Sequence, residues 1–315
     1  LFIKSKSVDK SELTIKKFKT LRNELIKWQK NANKVLYFED INMTWYDAFK
    51  EHLLTTGKNK YTDEPGRTNE TVSKFIANLK NFLRWAKERG YHNNDVYTYR
   101  SFAAKRKPRN EIVTLTKDEV LKLHAVDVSH NERLQRVKDL GIFFIHTLQR
   151  WDDVNGQRKQ DINLEKRHWS FIAKKTGKRT IIEFRGYFEK AWEILEKYDL
   201  QLPKISEQEF NRTFKQLGKL AGINSFVEFE REKGSEKIPV SGDKWEFMSS
   251  HMGRRTGTSL LANDGFPLTL LQEITKHEDI KTLMKYVDDS TKQKQLEEAI
   301  DKHTLNLFPQ MKIAK

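Results

Sequence analysis

Apolar residues along the first hundred positions recur at helical rather than strand spacing. Leu13, Phe18, Leu21, Leu25 and Trp28 step by three to five residues with lysines on the other face, predicting an amphipathic helix over 9–30. Trp45, Phe49 and Leu53 predict a second helix over 44–54. Val72, Phe75, Ile76, Leu79, Phe82, Leu83 and Ala86 predict a third over 71–89, with Gly90 placed to end it. That period turns the aromatics inward as core, not outward as a platform for stacking bases. From Ser101 to Asn110 (SFAAKRKPRN) the period vanishes, Pro108 intrudes, and the segment reads as a basic linker.

Beyond the linker, Thr116 and Glu119 fit a capping box opening a short helix through Leu123, and a longer helix follows over 132–147. Residues 167–186 alternate like a strand pair, with Lys175-Thr176-Gly177-Lys178 at the turn. Helices are predicted over 186–198 and 207–221, the latter behind Ser206 and Glu209, and a second hairpin over 225–248. The stretch 252–298 is mostly helical, with breaks near Gly265-Phe266-Pro267 and at His277. The fold class expected is mainly α: an all-helical N-terminal domain and a mostly helical second domain carrying small antiparallel hairpins. The expected division is 1–100, a linker 101–111, a main domain 112–290, and a C-terminal helix and tail 291–315.

A length of 315 residues accommodates two cored domains. With no cysteine, disulfide frameworks and thiolate chemistry are excluded, which fits a reducing cytoplasm. No run of about 18 apolar residues occurs, so no membrane partner is expected. The chain opens at Leu1 rather than methionine, so its natural N-terminus is expected to lie upstream. The charge is lopsided. Residues 1–110 hold 24 Lys and Arg against 12 Asp and Glu, giving that third +12 of the net +15. Such asymmetry points to an N-terminal grip on a polyanion, above all nucleic acid. Lys74, Lys80, Arg84 and Lys87 on the third helix, and Lys105, Arg106, Lys107 and Arg109 in the linker, are the candidate phosphate contacts.

One ordered set of polar residues changes the picture from binding to chemistry: Arg150, Lys175, His251, Arg254, His277 and Tyr286. Breaking a phosphodiester needs an in-line nucleophile, cations on the non-bridging oxygens, a proton for the leaving oxygen and a route for the nucleophile's own proton. Arginine suits the second task, because its guanidinium stays charged and forks onto two oxygens. Each pair alone is weak evidence, since Arg158 and Asp161 repeat the spacing of Arg150 and Asp153, and His130 and Arg133 that of His251 and Arg254. Only one path through the chain completes the full order. His251 and Arg254, three apart, share a helical face, whereas nine residues at about 100° each would put His277 and Tyr286 on opposite faces of one straight helix. They share a site only if the chain bends between them, and Glu278 and Asp279 offer the new helix start.

At these residues the chain resembles a tyrosine recombinase of the phage-integrase family, most of all the integrases of conjugative transposons and prophages. Residues 147–154 (TLQRWDDV) resemble the family's first arginine box, 250–255 (SHMGRR) its second, and 276–287 (KHEDIKTLMKYV) its closing box. The similarity spans about 113–290 by motif, and the N-terminal region resembles the family's core-binding domain by layout. It implies that Tyr286 attacks the scissile phosphate to give a 3′-phosphotyrosyl link and that Arg150 and Arg254 clamp the non-bridging oxygens. Lys175, favoured over Lys174 and Lys178, would protonate the leaving 5′-oxygen. His251 would accept or donate a proton, His277 would hydrogen-bond the phosphate, and Asp153 would orient Arg150.

Strand exchange through a Holliday junction would follow, serving integration or excision of a mobile element, with bond energy held in the tyrosine link and no cofactor or metal needed. The resemblance also implies a C-shaped clamp on double-stranded DNA and a homotetramer on two recombination sites. Host or element-encoded DNA-bending factors, a place in the cytoplasm on the nucleoid, and an arm-binding domain ahead of Leu1 belong to the same expectation. The tail, with Leu305, Leu307 and Phe308, is expected either to fold back or to dock on a neighbouring protomer. A type IB topoisomerase-like activity and a non-catalytic DNA-binding accessory protein are the alternatives. Two positions depart from the pattern: Leu148-Gln149 precede Arg150 where a glycine usually stands two before it, and Lys276 replaces the glycine before His277.

Overall fold

The computed structural model describes residues 1–59, 63–104, 112–288, 291–293 and 296–301. The chain divides into two compact units, 1–110 with 228–241, and 111–227 with 242–315.

In the N-terminal unit, α1 (Phe2–Lys6) precedes α2 (Glu12–Ala32), α3 (Met43–Thr55) and α4 (Asn69–Glu88). Ser11 and Asn42 cap α2 and α3 through their side-chain oxygens. Phe18 and Leu21 of α2, Trp45, Phe49 and Leu53 of α3, and Val72, Ile76, Leu79, Leu83 and Ala86 of α4 are buried as their periods predict. Leu13 is not, because the five-residue step to Phe18 carries it about 140° round the helix, and it stands 66% exposed. Two further features depart from the sequence reading. Phe102, inside the expected linker, is fully buried against Tyr46 at 4.4 Å between ring centroids, so it belongs to the helical core, with Ala104 packed against it. The charged half of that linker, with Lys105, Arg106, Lys107 and Arg109, lies outside the described residues, as do Leu305, Leu307 and Phe308.

The second departure is the hairpin of β4 (Phe226–Lys233) and β5 (Glu236–Asp243). Sequence order places it wholly in the second domain, yet 228–241 pack in the N-terminal unit. The Asn69 side chain both accepts from Gly234 N and donates to Gly234 O, each at 2.8 Å. This reciprocal amide pair fastens the hairpin tip to the start of α4.

The second unit is built around α6 (Glu132–Thr147), whose C-terminal half is buried almost all round. Before it comes α5 (Lys117–Ala125), opened by the predicted capping box of Thr116 and Glu119. After it come α7 (Trp151–Asn155), β1 (Ile162–Asn163), β2 (His168–Ile172), β3 (Arg179–Glu183), α8 (Glu189–Lys197) and α9 (Glu207–Leu220). The three strands form an antiparallel sheet in the order β1-β2-β3, with Trp169 opposite Ile182. The short β1 escaped sequence reading because two residues carry no period. The last helices are α10 (Ser250–Asn263), α11 (Leu268–Thr275) and α12 (Ile280–Leu283), ending in a 3₁₀ turn over Met284–Tyr286, and residues 291–293 and 296–301 are also helical. Helix α10 lies directly on α6: a Cβ on Gly257 would stand 1.9 Å from the Ile145 carbonyl oxygen, so only glycine allows this approach. That contact sets the C-terminal end of α6, and the Arg150 that follows it, beside Arg254 of α10. Among the described residues, no helix is long and apolar enough to cross a membrane.

Candidate active site

Arg150, Arg254 and His277 converge on one residue, Thr275, at the end of α11. The Thr275 carbonyl oxygen accepts from Arg254 Nη2 at 2.6 Å and from Arg150 Nη1 at 3.3 Å. Arg254 Nη1 donates to Leu148 O at 2.5 Å, and Arg150 Nη2 to Lys276 O at 3.4 Å. The two guanidiniums, that of Arg254 buried, meet at one carbonyl oxygen and are held by backbone carbonyls rather than by carboxylates. Burial first, and then the charge of Arg150, lowers Arg254 to about 9, while Tyr286 and Asp153 pull the other way. It therefore stays charged at neutral pH. Its neighbour Arg255 makes none of these bonds.

Both departures from the family's glycines fall at left-handed backbone positions. Leu148 caps α6 with φ 61°, and Lys276 caps α11 with φ 50°. These are the residues whose carbonyls face the two arginines, so the backbone geometry survives the loss of glycine at a cost of about 1 kcal/mol each. Gln149 braces the same corner, donating from Nε2 to Thr147 O at 2.7 Å and Ile274 O at 3.1 Å.

The bend between His277 and Tyr286 is present. Asp279 starts α12 by accepting from Lys281 N at 2.8 Å, and the histidine and tyrosine rings come within 6.3 Å between centroids. Tyr286 is buried, and its carbonyl is held by Asn263 at 3.1 Å and Ser259 at 3.3 Å. His277 is pushed down to about 3 by burial, then by Arg254, Arg150, His251 and Lys175. His251 is lowered to about 4 by lost hydration and by Arg255, Arg254, Arg150 and Lys175. Its side chain still reaches solvent, so the surrounding cations are the cause that stands. Both histidines are neutral at pH 7, with the positive charges of Arg150, Arg254 and Lys175 around them.

Lys175 sits on the turn between β2 and β3, closed by Ala173 N donating to Lys178 O at 2.9 Å and by Gly177 at φ 66°. Its charge is felt at both His251 and His277. Lys174 instead packs over Gly156, where a Cβ would stand 2.9 Å from its Nζ, and Lys178 acts on Glu273. Asp153 differs from expectation. Its Oδ1 accepts from Lys174 N at 2.8 Å and its buried Oδ2 has no partner, so it pins the lysine turn and does not hydrogen-bond Arg150. Burial raises its carboxyl above the ordinary value, against the pull of the Lys174 N–H, Arg150 and Arg254.

Sequence reasoning missed Thr275, Leu148 and Gln149. Two of the three act largely through backbone carbonyls, which no side-chain pattern reveals. Among the described residues, no group of three or more His, Asp or Glu is placed to hold a metal ion.

Residues 113–293 match the model of the phage integrase family, and residues 2–106 that of the phage integrase SAM-like domain. The chain belongs to the phage integrase family. As a member it is a tyrosine site-specific recombinase, a DNA strand-transfer enzyme.

The integrase fold is also seen in solved structures. A lambda integrase dimer bound to a COC′ core site has TM-score 0.65 and 18% identity, covering 91% of this chain and 93% of that one. A lambda integrase tetramer bound to a Holliday junction has TM-score 0.63 and 18% identity, over 91% and 75%. The Tn1549 transposon integrase with a circular intermediate DNA has TM-score 0.61 and 14% identity, over 94% and 98%. No curated protein matches the chain.

Proposed function

We propose that this recombinase cuts and rejoins duplex DNA through Tyr286, for integration or excision of a mobile element, and that six residues carry the reaction. The observation that carries the reading is the convergence of Arg150, Arg254 and His277 on Thr275 with Tyr286 alongside. Two forked guanidiniums side by side match the non-bridging oxygens of one phosphate, whose charge grows in the transition state. Tyr286 oxygen bonds to phosphorus in line as the P–O5′ bond breaks, Lys175 gives a proton to the leaving oxygen, and a 5′-hydroxyl departs. Attack by the 5′-hydroxyl of a partner strand reverses the step and exchanges strands. His251, at the open side of the site, contacts the phosphate or the departing oxygen.

Arg84 is exposed on α4, one turn from Lys80, with no ion pair among the described residues, and these two lead the candidate phosphate contacts there. Lys74 and Lys87 are engaged with Glu70 and Asp95 and must exchange those partners to reach DNA. The tetramer on a Holliday junction in the lambda integrase structure supports a homotetramer on two recombination sites here. The basic linker and the tail would track DNA and join protomers, and accessory DNA-bending factors complete the proposed assembly.

The test is covalent trapping. Nicked duplexes from the ends of the gene's own element are mixed in EDTA with wild-type and Tyr286→Phe protein, and an adduct surviving denaturant is scored. A 3′-linked adduct with wild-type only is the expected result. Cutting with no adduct would overturn the assignment, and supercoil relaxation without strand exchange would favour the topoisomerase-like alternative.

A further inference from the structure

The side-chain hydroxyl of Thr275 has no place in the chemistry above, yet it is fully buried at the centre of the site. It lies 2.7 Å from Leu271 O and 2.7 Å from His277 Nδ1. A hydroxyl owns one hydrogen, and a carbonyl oxygen can only accept. The contact to Leu271 is therefore satisfied only if Thr275 donates there, which leaves its lone pair to accept from His277 Nδ1–H. The other ring nitrogen gives the same answer independently. His277 Nε2 faces Arg254 Nη2 at 3.4 Å, and a guanidinium nitrogen can only donate. Both neighbours call for the tautomer with hydrogen on Nδ1 and a bare lone pair on Nε2.

We propose that Thr275 is a positioning residue that locks neutral His277 in the Nδ1–H tautomer, so that His277 Nε2 accepts the phenolic proton of Tyr286. In that form His277 has no hydrogen to offer a phosphate oxygen until it takes one up. As the Tyr286 oxygen bonds to phosphorus, its proton passes to His277 Nε2. The imidazolium so formed then donates to a non-bridging oxygen, while Lys175 supplies the separate proton that leaves with the 5′-hydroxyl. The groups facing His277 are Arg254 and His251 of α10, Arg150 ahead of α7, Lys175 of the β2–β3 turn and Tyr286, and burial together with the cations among them keeps it neutral before DNA arrives. The inference rests on the assignment of His277 and Tyr286 to the reaction.

Long-range proton–nitrogen NMR of the histidine-¹⁵N-labelled full chain at pH 7 reads the tautomer directly, with the His277 signals identified by their loss in His277→Asn. Wild-type is expected to show a protonated Nδ1 and a bare Nε2. Thr275→Val, nearly isosteric, should lose that state and form the Tyr286 adduct at least about tenfold more slowly in single turnover across pH 6–9. Thr275→Ser should restore both the tautomer and the rate. A wild-type spectrum with hydrogen on Nε2 overturns the proposal even if Thr275→Val fails to fold. So does a Thr275→Val protein that keeps the wild-type tautomer and rate. If wild-type forms no adduct at all, the catalytic assignment falls instead, and the spectrum still decides the tautomer.

Discussion

Leu148 and Lys276 show how single residues hold this site. Both adopt left-handed backbone conformations at helix ends, and both turn a carbonyl toward a guanidinium. Glycine at Lys276 relieves the backbone cost, so Lys276→Gly should raise stability by about 1 kcal/mol, read as a higher Tm. Leu148 is completely buried, and deleting its side chain costs about 2–5 kcal/mol in lost packing, so Leu148→Gly should lower Tm despite the same backbone relief. Equal signs for the two variants would refute this account. Arg254 and Arg255 give a second contrast. Arg254→Lys, losing the fork to Leu148 O and Thr275 O, should slow adduct formation by about 10²–10³-fold. Arg255→Lys should change it by less than about fivefold, and DNA affinity measured alongside separates binding from chemistry.

At the scale of elements, the close approach of α10 to α6 brings the arginine boxes together. Gly257→Ala must move a helix off the Ile145 carbonyl, so a loss of at least about 3 kcal/mol in urea unfolding is expected. The β2–β3 turn makes its own prediction. Lys175→Ala should cut poorly on ordinary DNA and recover on a substrate whose leaving 5′-oxygen is replaced by sulfur, which departs without a proton. Lys174→Ala and Lys178→Ala should show no such selective recovery, and if either does, the proton donor lies there. The repeated spacings prove ordinary in three dimensions. Arg158 simply pairs with Asp161 at 2.8 Å, and Arg133 with Glu209 at 3.4 Å.

For the whole molecule, acid is the natural probe. His251 and His277 are held low in the candidate active site, and His124, brought to about 4 chiefly by burial with its Nε2 3.2 Å from His146 Nε2, is held low elsewhere. Burial lowers His146 as well. Each of these folded values lies below the ordinary 6.5, so the unfolded chain binds more protons in between. Their contribution is complete above about pH 6.5 and is lost as pH falls toward 4. Tm should fall steadily from pH 7 to 4.5, with a shallower slope in His124→Gln, and a flat profile would contradict histidines held neutral by the fold. DNA binding should weaken steeply with salt, as phosphate contacts require.

The sequence by itself determined the helices, because the 3.6-residue period of Val72 to Ala86 and the capping box at Thr116 are local properties. It determined the family as well, since the order of arginines, lysine, histidines and tyrosine is written along one chain. Only the tertiary structure decided that Phe102 is core, that the β4–β5 tip belongs with α4, and that Asp153 holds the lysine turn. It also decided that Thr275 gathers two arginines and a histidine. Those choices depend on which carbonyls and apolar faces meet across long separations, and such meetings leave no periodic trace in the sequence.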